Sequence, residues 1–261
     1  MDLNLSGRTA IVAASSQGLG RAIAEELVKE GANVVITSRS EEKLKEVCGK
    51  LKDLQQGKVS YIVGDLTNGA DIQRIIRETI DTYGGIDILV NNAGGPPAGA
   101  FEDITDEEWQ TTFELNLLSY IRLIRAALPH LKKKGGRIVN IASSSVKEPI
   151  PGLILSNTFR TAITGLSKTL AAELAPHHIL INTLAPGRIA TDRVRHLDEI
   201  NADKAGLAVE EIEDRMKGQI PLGRYGEPAE FARVAAFLLS DANSYMTGST
   251  FLVDGGMVKS L

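Results

Sequence analysis

The segment TAIVAASSQGLGRAIAEELVKEG, residues 9–31, contains the features that decide the fold. A short apolar run at 9–15 is followed by glycines at 18 and 20, and then by apolar residues at helical spacing. This order predicts a buried strand, a tight turn and a helix. Bare backbone at Gly18 and Gly20 lets a pyrophosphate approach the helix N-terminus, so the segment favours dinucleotide binding. An ordinary tight turn between a strand and a helix is the alternative interpretation.

The same alternation continues through the rest of the chain. Strands separated by helices of about 10 to 20 residues predict one parallel sheet with helices on both faces. We therefore expect an α/β fold with a doubly wound parallel sheet of the Rossmann type, formed by a single domain over residues 1–261. The further apolar runs that support this interpretation lie at 32–38, 58–65, 86–94, 136–144, 178–187 and 248–256.

The composition argues against several classes of protein. The formal net charge is −4 and no basic tract stands out, so a nucleic-acid partner is not expected. A single cysteine, Cys48, excludes an intramolecular disulfide, and the four histidines lack the spacing of a metal site. No apolar run approaches the roughly 18 residues of a membrane span, and the first residues lack the pattern of a signal peptide. We expect a soluble, cytoplasmic protein without a metal.

Residues 191–224 interrupt the alternation of strands and helices before the last apolar run. The segment is polar and charged, and its pattern is helical. An insertion over the carboxyl ends of the strands can act as a substrate lid. A solvated pair of helices is the alternative.

Several motifs together resemble the short-chain dehydrogenases/reductases. The turn AASSQGLG at 13–20 is similar to the family's T-G-x-x-x-G-x-G, with Ala14 in place of the first glycine. NNAG lies at 91–94, and PGRIAT at 186–191 matches the family's P-G-x-x-x-T. The resemblance covers nearly the whole chain. Alanine at position 14 is tolerated only if that residue does not need a positive φ.

The resemblance implies a nicotinamide dinucleotide held by this row of motifs. Asp65 is expected near the adenine, and the motif ending at Thr191 near the nicotinamide carboxamide and the pyrophosphate. Arg160 is expected to bond the nicotinamide ribose. The other residues expected around the cofactor are Ser15, Ser16, Gly18, Leu19, Gly20, Ser38, Arg39, Leu66, Asn92, Ala93, Gly94, Pro186, Gly187 and Ile189.

The residues after the second strand indicate which dinucleotide is bound. NAD sites usually place Asp or Glu there, to accept hydrogen bonds from the ribose 2′-hydroxyl. This chain has Ser38 followed by Arg39. A guanidinium beside a hydroxyl suits a 2′-phosphate, with Ser15 and Ser16 as further hydroxyls. We therefore expect NADP(H) rather than NAD(H). The alternative is a surface arginine after a helix-capping serine.

The largest departure from the family lies in SNTFR, residues 156–160. The resemblance of the following helix to the family's pattern puts the catalytic Y-x-x-x-K there, so Ser156 replaces the tyrosine and Arg160 the lysine. A serine hydroxyl is a weaker acid than a phenol and reaches less far, and arginine stays charged and does not shuttle protons. The resemblance also implies active-site roles for Ser143 and Asn116.

No substitute proton donor is evident in the sequence. The tyrosines have no obvious path to the site, although Tyr120 and Tyr225 stay open. Lys147 and Glu148 follow Ser143 on a loop, and either could act directly or through a water molecule. Both could equally be solvated loop charges. The stiff stretch GGPPAG after the fourth strand either narrows the pocket or is a simple turn.

Two functions remain open at this point. The first is an NADP(H)-dependent oxidoreductase that interconverts a carbonyl and an alcohol, such as a 3-oxoacyl thioester or a polyol-type ketone. Ser143 and Asn116 would then orient substrate and water, and their presence beside the lid segment favours this function. The second is a catalytically attenuated NADP(H)-binding sensor or assembly protein. The family commonly forms dimers and tetramers, which implies a homo-oligomer, here a homotetramer.

Overall fold

The computed structural model describes residues 2–260, in which seven strands alternate with nine α-helices. The strands are β1 (Thr9–Val12), β2 (Asn33–Ser38), β3 (Val59–Val63), β4 (Ile88–Asn91), β5 (Gly136–Ile141), β6 (Ile179–Pro186) and β7 (Thr250–Val253). The helices are α1 (Gly18–Lys29), α2 (Glu41–Lys52), α3 (Gly69–Tyr83), α4 (Asp106–Phe113), α5 (Ser119–Leu131), α6 (Ile154–Leu174), α7 (Asp192–Ala205), α8 (Val209–Gly218) and α9 (Pro228–Leu239).

The strands form one sheet in the order β3-β2-β1-β4-β5-β6-β7, and every neighbouring pair is parallel. This confirms the predicted doubly wound parallel sheet. Each strand is shorter than the apolar run that predicted it, because the runs end in turn residues. The run at 86–94 is an example: pairing stops at Asn91, and the residues after it leave the sheet.

Successive residues of β1 show why its apolar run is continuous. Ala10 and Val12 lie in the core shared with α1, α2 and α9. Ile11, between them, lies in the core shared with α3, α5 and α6. A strand covered on both faces has no polar side, so period-2 alternation is absent from its sequence.

The order of strands reverses next to β1, which lies between β2 and β4. In doubly wound sheets such a reversal opens a crevice at the carboxyl ends of the strands. The glycine turn after β1 forms one wall of this crevice. A methyl group at Gly20 would come within 2.6 Å of the Ala14 carbonyl oxygen and 2.7 Å of the Asn92 amide nitrogen, so the close packing of α1 requires glycine there.

Two helical segments contain or adjoin residues of the expected site. The helices α4 and α5 are joined by a π-helical turn at Glu114–Leu118, which contains Asn116. Residues 191–224 form the helices α7 and α8. Within residues 2–260, no helix combines the length and the apolar character that crossing a membrane requires.

Ala14 adopts a backbone conformation that disfavours its side chain. Its φ is 46°, in the left-handed region. The condition for tolerating alanine in the glycine turn is therefore not met, and the turn carries steric strain. The left-handed region costs a residue with a Cβ about 1–2 kcal/mol.

We expect Ala14→Gly to leave the free energy of unfolding unchanged or to raise it by up to about 1 kcal/mol, because the relieved strain exceeds the entropy cost of glycine. Ala13→Gly is the matched control. Ala13 is fully buried and does not have a positive φ, so its loss should lower the free energy of unfolding by about 1 kcal/mol. Urea unfolding of both variants measures the difference. Equal destabilisation by the two substitutions would contradict strain at Ala14.

Candidate active site

A cavity of about 1080 Å³ lies at the carboxyl ends of the strands. It slightly exceeds the ~300–1,000 Å³ of typical ligand pockets, which leaves room for a dinucleotide and a small second molecule. Most residues singled out in the sequence line it: Ser16, Gly18, Leu19, Ser38, Arg39, Asp65, Leu66, Asn92, Ala93, Gly94, Ser143, Ser156, Arg160, Pro186, Gly187, Ile189 and Thr191. The cavity therefore brings together both ends of the expected site.

Three of the expected site residues lie behind the cavity wall. Ser15 is fully buried, and its hydroxyl donates to the Val12 carbonyl at 2.7 Å and accepts from the Thr37 amide at 3.0 Å. The expectation that Ser15 offers a hydroxyl to the cofactor is therefore wrong, because that group links β1 to β2. Gly20 acts through close packing, as described above.

Asn116 supports the wall of the cavity instead of lining it. Its side-chain amide donates to the Gly94 carbonyl at 2.8 Å, and its own oxygen is buried without a hydrogen-bond partner in the described structure. The π-helical turn aims this side chain at the end of β4. The expected part of Asn116 in orienting substrate and water would therefore be indirect, through the Gly94 carbonyl that it bonds.

The β2 end of the cavity is cationic. Arg39 is exposed, and Lys43 lies one helical turn further on, where its ammonium donates to the Gln17 side-chain oxygen at 3.0 Å. Lys43 and Gln17 both line the cavity, and sequence analysis missed both. Lys43 has a recognisable signal, because it lies in the first turn of the helix that begins just after Arg39. Asp65, also at this end, is fixed by the Thr67 amide at 2.9 Å and the Thr67 hydroxyl at 2.8 Å.

Buried side chains hold the strand ends behind the cavity in register. The Asn91 amide donates to the Asn140 side-chain oxygen at 2.7 Å, which links β4 to β5. Asn140 in turn donates to the Ser167 hydroxyl of α6 at 2.9 Å, and Thr183 of β6 donates to the same hydroxyl at 2.9 Å. Asn92 donates to the Ala13 carbonyl at 3.3 Å. The floor of the site is therefore rigid.

Arg160 is the most heavily bonded side chain of the cavity. It is 5% exposed, and its guanidinium donates to the Tyr120 hydroxyl at 2.7 Å, the Ile141 carbonyl at 2.7 Å and the Ala93 carbonyl at 3.2 Å. These bonds join α6 to α5 and to the ends of β5 and β4. Arg160 thus acts as a structural clamp with one face towards the cavity, a role that the sequence did not predict.

The two tyrosines left open by the sequence do not line the cavity. Tyr120 is fully buried and donates to the Ile141 carbonyl at 3.0 Å; burial raises its pKa, and the Arg160 cation opposes that rise. Tyr225 donates to Asp198 at 2.8 Å, and mainly burial raises its pKa to about 12. Among the lining residues within 2–260 there is no tyrosine, histidine or cysteine.

Two serine hydroxyls face the cavity beside Arg160. Ser143 follows β5, and its oxygen accepts a hydrogen bond from the Ser145 amide at 3.2 Å, which leaves its own O–H free to donate. Ser156 is half-buried in the first turn of α6. The arrangement can hold an oxygen atom by hydrogen bonds, and a nearby fixed cation can stabilise negative charge on it.

The loop between Ser143 and Ser156 forms the mouth of the cavity. The Asn157 side chain fixes this loop by bonding both the amide and the carbonyl of Ile150, at 3.2 Å and 2.9 Å. Glu148 lines the cavity, and its carboxylate accepts from the Lys259 amide at 3.3 Å. Lys147 is exposed and does not line the cavity. Of the two loop charges considered, the structure brings only Glu148 to the site.

The helices α7 and α8 cover the opposite side. A buried cluster anchors them: Asp198, with 0% exposure, pairs with Arg188 and accepts from Tyr225. Helices α7 and α8 thus form part of the cavity wall. The C-terminal residues 257–259 also line the cavity, and no motif in the sequence marks them as site residues. The lining residues from the two helices and from the turn after α8 are Asp192, Arg193, Val194, Leu197, Met216, Gly218 and Gln219. In the described part of the chain, no cluster of His, Cys, Asp and Glu is arranged to hold a metal ion.

Comparisons with known proteins identify the family and agree with the fold. Residues 13–258 match the family model described as Enoyl-(Acyl carrier protein) reductase. The human protein "Dehydrogenase/reductase SDR family member 4" is 38% identical, over 97% of this chain and 88% of that one. The 3-oxoacyl-[acyl-carrier-protein] reductase FabG of Aquifex aeolicus is 36% identical, over 98% and 100% of the two chains.

Two solved structures are also similar. The L-sorbose reductase of Gluconobacter frateurii, complexed with NADPH and L-sorbose, has a TM-score of 0.95 and 32% identity, and the match covers 100% of both chains. YwfH, an NADPH-dependent reductase involved in bacilysin biosynthesis, has a TM-score of 0.92 and 33% identity, over 97% of this chain and 99% of that one.

The clamp role of Arg160 predicts a large cost for its removal. Arg160→Met should lower the free energy of unfolding by about 2–4 kcal/mol, because three buried acceptors lose a charged donor. Lys168→Met, an exposed position on the same helix, is the control and should change it by less than about 0.5 kcal/mol. Urea unfolding followed by circular dichroism compares the two. If both variants were equally stable, Arg160 would not be a clamp.

Proposed function

The chain belongs to the short-chain dehydrogenase/reductase family, and we propose that it is an NADP(H)-dependent oxidoreductase that interconverts a carbonyl and an alcohol of a small molecule. The observation that carries this proposal is the single cavity in which a glycine turn, a cationic end and two serine hydroxyls beside Arg160 all meet. A site that only had to bind a dinucleotide would not need the second half of this arrangement.

The residues of the β1–β2 half fit a dinucleotide. Gly18 has a φ of 57°, and a methyl group there would lie 3.9 Å from the Thr191 methyl, so the glycine turn lies close to the PGRIAT motif, and both line the cavity. At Gly94, a methyl group would project into open space. Backbone without side chains on both walls suits a pyrophosphate at the start of α1.

The cationic end supports NADP(H) over NAD(H). Arg39 and Lys43 line the cavity without a carboxylate at the end of β2 to accept bonds from a 2′-hydroxyl. A 2′-phosphate would pair with both cations. The solved L-sorbose reductase and YwfH structures are of NADPH-dependent or NADPH-bound proteins, which agrees with this preference.

Ser156 and Arg160 are proposed to occupy the positions of the family's tyrosine and lysine. Both residues lie on α6 and line the cavity near Ser143, as that register requires. The site then has donors for a substrate oxygen but no phenolic acid. Bound NADPH would supply a hydride, and the residues around it would have to orient the carbonyl and stabilise the negative charge that develops on its oxygen.

Each residue has a distinct part in this proposal. Ser143 donates its free O–H to the substrate oxygen, and Ser156 contributes a second hydroxyl. Arg160 stabilises the developing negative charge through its fixed cation, but it does not release a proton. Water at the mouth of the cavity supplies the proton. Asn116 keeps Gly94 in position from behind the wall.

The helices α7 and α8 are proposed to act as a lid over the substrate, because their side chains line the cavity although the pair is anchored through Asp198.

A single domain, a homotetramer and a cytoplasmic location remain proposals from the family resemblance. The alternative function, an NADP(H) sensor without turnover, is weaker, because Ser143 and Ser156 both line the cavity beside Arg160.

We expect Arg39→Asp to weaken NADPH binding by about 10- to 100-fold and to strengthen NADH binding, because a carboxylate repels the 2′-phosphate and accepts from a 2′-hydroxyl. Arg77→Asp, an exposed position on α3 away from the cavity, controls for net charge. Titration calorimetry gives both dissociation constants. Unchanged NADPH affinity in Arg39→Asp would disprove the assigned 2′-phosphate contact.

Turnover tests the proposed activity itself. The native protein should oxidise NADPH with at least one member of a panel of small ketones, aldehydes and 3-oxoacyl thioesters. Ser143→Ala should lower kcat/KM by about 10-fold or more, because it loses a donor to the reacting oxygen, whereas Ser156→Ala should lose less than about 10-fold. A general acid is worth ~10²–10⁴ in rate. A loss of that size in Ser156→Ala would make Ser156 the acid, and NADPH binding without any turnover would favour the sensor.

A further inference from the structure

Arg193, in the first turn of α7, points into the half of the cavity formed by the ends of β4, β5 and β6. Its guanidinium lies against the loop after β4, where it donates to the Pro96 carbonyl. A methyl group at Gly95 would come within 2.7 Å of the Arg193 Nε, so the glycine makes room for the guanidinium. The Arg193 guanidinium of α7 therefore packs closely against the loop after β4.

This cation has no counter-charge. No ion pair among residues 2–260 includes Arg193 or Arg160. Burial lowers the pKa of Arg193, and the Arg160 cation, which lines the same cavity, lowers it further. Glu148 and Asp192 line the cavity, but both are exposed and pair with neither arginine.

The neighbouring Arg188 shows the contrast. It is also partly buried beside α7, but the fully buried Asp198 neutralises it. A partly buried cation without a partner is unfavourable unless something else supplies negative charge. In this half of the cavity, the missing negative charge would come from a ligand.

That ligand is not expected to be the cofactor's 2′-phosphate. Arg39 and Lys43 lie at the end of β2, on the far side of β1 from β4, β5 and β6. Arg193 instead shares its half of the cavity with Ser143, Ser156 and Arg160. The cavity also has apolar lining residues, among them Pro96, Leu153, Val194 and Leu197.

We propose that Arg193, beside Arg160, binds a carboxylate group of the substrate, so that the protein acts on oxo acids or hydroxy acids. This inference rests on the proposed oxidoreductase function and names its substrate class. One donor of the guanidinium is engaged by Pro96, and the remaining edge presents N–H groups that match the planar oxygens of a carboxylate. The carboxylate holds one end of the substrate while the serine hydroxyls bond the reacting oxygen.

The test compares Arg193→Met with Arg195→Met. Arg195 lies two residues further along α7, is 76% exposed, and pairs only with Glu199 in the described structure, so it controls for the loss of one charge from the same helix. Three-carbon to six-carbon oxo acids and their methyl esters are assayed as substrates with NADPH. The native protein should prefer the acid by about 10- to 100-fold in kcat/KM, and Arg193→Met should lose that preference. Arg195→Met should retain it.

A binding measurement separates this inference from the proposed activity. Propionate and benzoate are titrated against propionamide and benzamide by calorimetry, with the protein saturated by NADP⁺. The native protein should bind the carboxylates at least about 10-fold more tightly than the amides, Arg193→Met should not, and Arg193→Lys should recover part of the difference. Thermal unfolding checks that each variant is folded.

Three results would overturn the proposal. In the first, the native protein uses acids and esters with equal kcat/KM, and calorimetry shows either equal affinity for carboxylates and amides or no binding of either class. The second is a loss of NADPH affinity in Arg193→Met as large as its loss of kcat/KM, which would assign Arg193 to the cofactor. The third is a stronger dependence on Arg193 for phosphorylated ketones than for oxo acids. If the native protein bound no NADP(H) at all, the proposed activity would fail, and carboxylate binding without cofactor would still test Arg193.

Discussion

The bonds of the Arg160 guanidinium to Tyr120, Ile141 and Ala93 hold the centre of this site together. They join helix α6 to helix α5 and to the ends of β5 and β4, the strands that form the floor of the cavity. Because three acceptors fix the guanidinium, its positive charge stays at one place. The geometry of Ser143, Ser156 and the loop after β4 depends on that fixed group.

This constraint limits the chemistry that the proposed oxidoreductase can use. Fixed cations and hydroxyl donors stabilise negative charge without moving a proton, whereas a phenol paired with a lysine does both. Electrostatic stabilisation by groups that are already oriented is a large part of catalysis in many enzymes, so the loss of a general acid reduces the rate without removing the reaction. A second arginine without an ion pair among residues 2–260, Arg193, adds to the same positive field and suits a substrate that brings its own negative charge.

The fold was largely predictable from sequence, because burial on both faces gives each central strand a continuous apolar run and glycine marks the turn after β1. The site was predictable where a residue's direction follows from its element, as for Arg39 at the end of β2. It was not predictable where tertiary contacts decide: Ser15 turns inward to Thr37, and Ala14 takes a positive φ. Arg193 was missed because its place against Gly95 depends on a loop almost one hundred residues earlier in the chain.

The pH dependence of hydride transfer is the most direct test of a site without a titrating acid. The rate of NADPH oxidation in a single turnover, with enzyme and substrate saturating, would be measured between about pH 6 and pH 9, where neither serine nor arginine titrates. The account predicts a flat profile, because no tyrosine, histidine or cysteine lines the cavity within residues 2–260. A rate that falls about tenfold per pH unit above a midpoint in this range would show that a titrating acid acts at the site, and would contradict it.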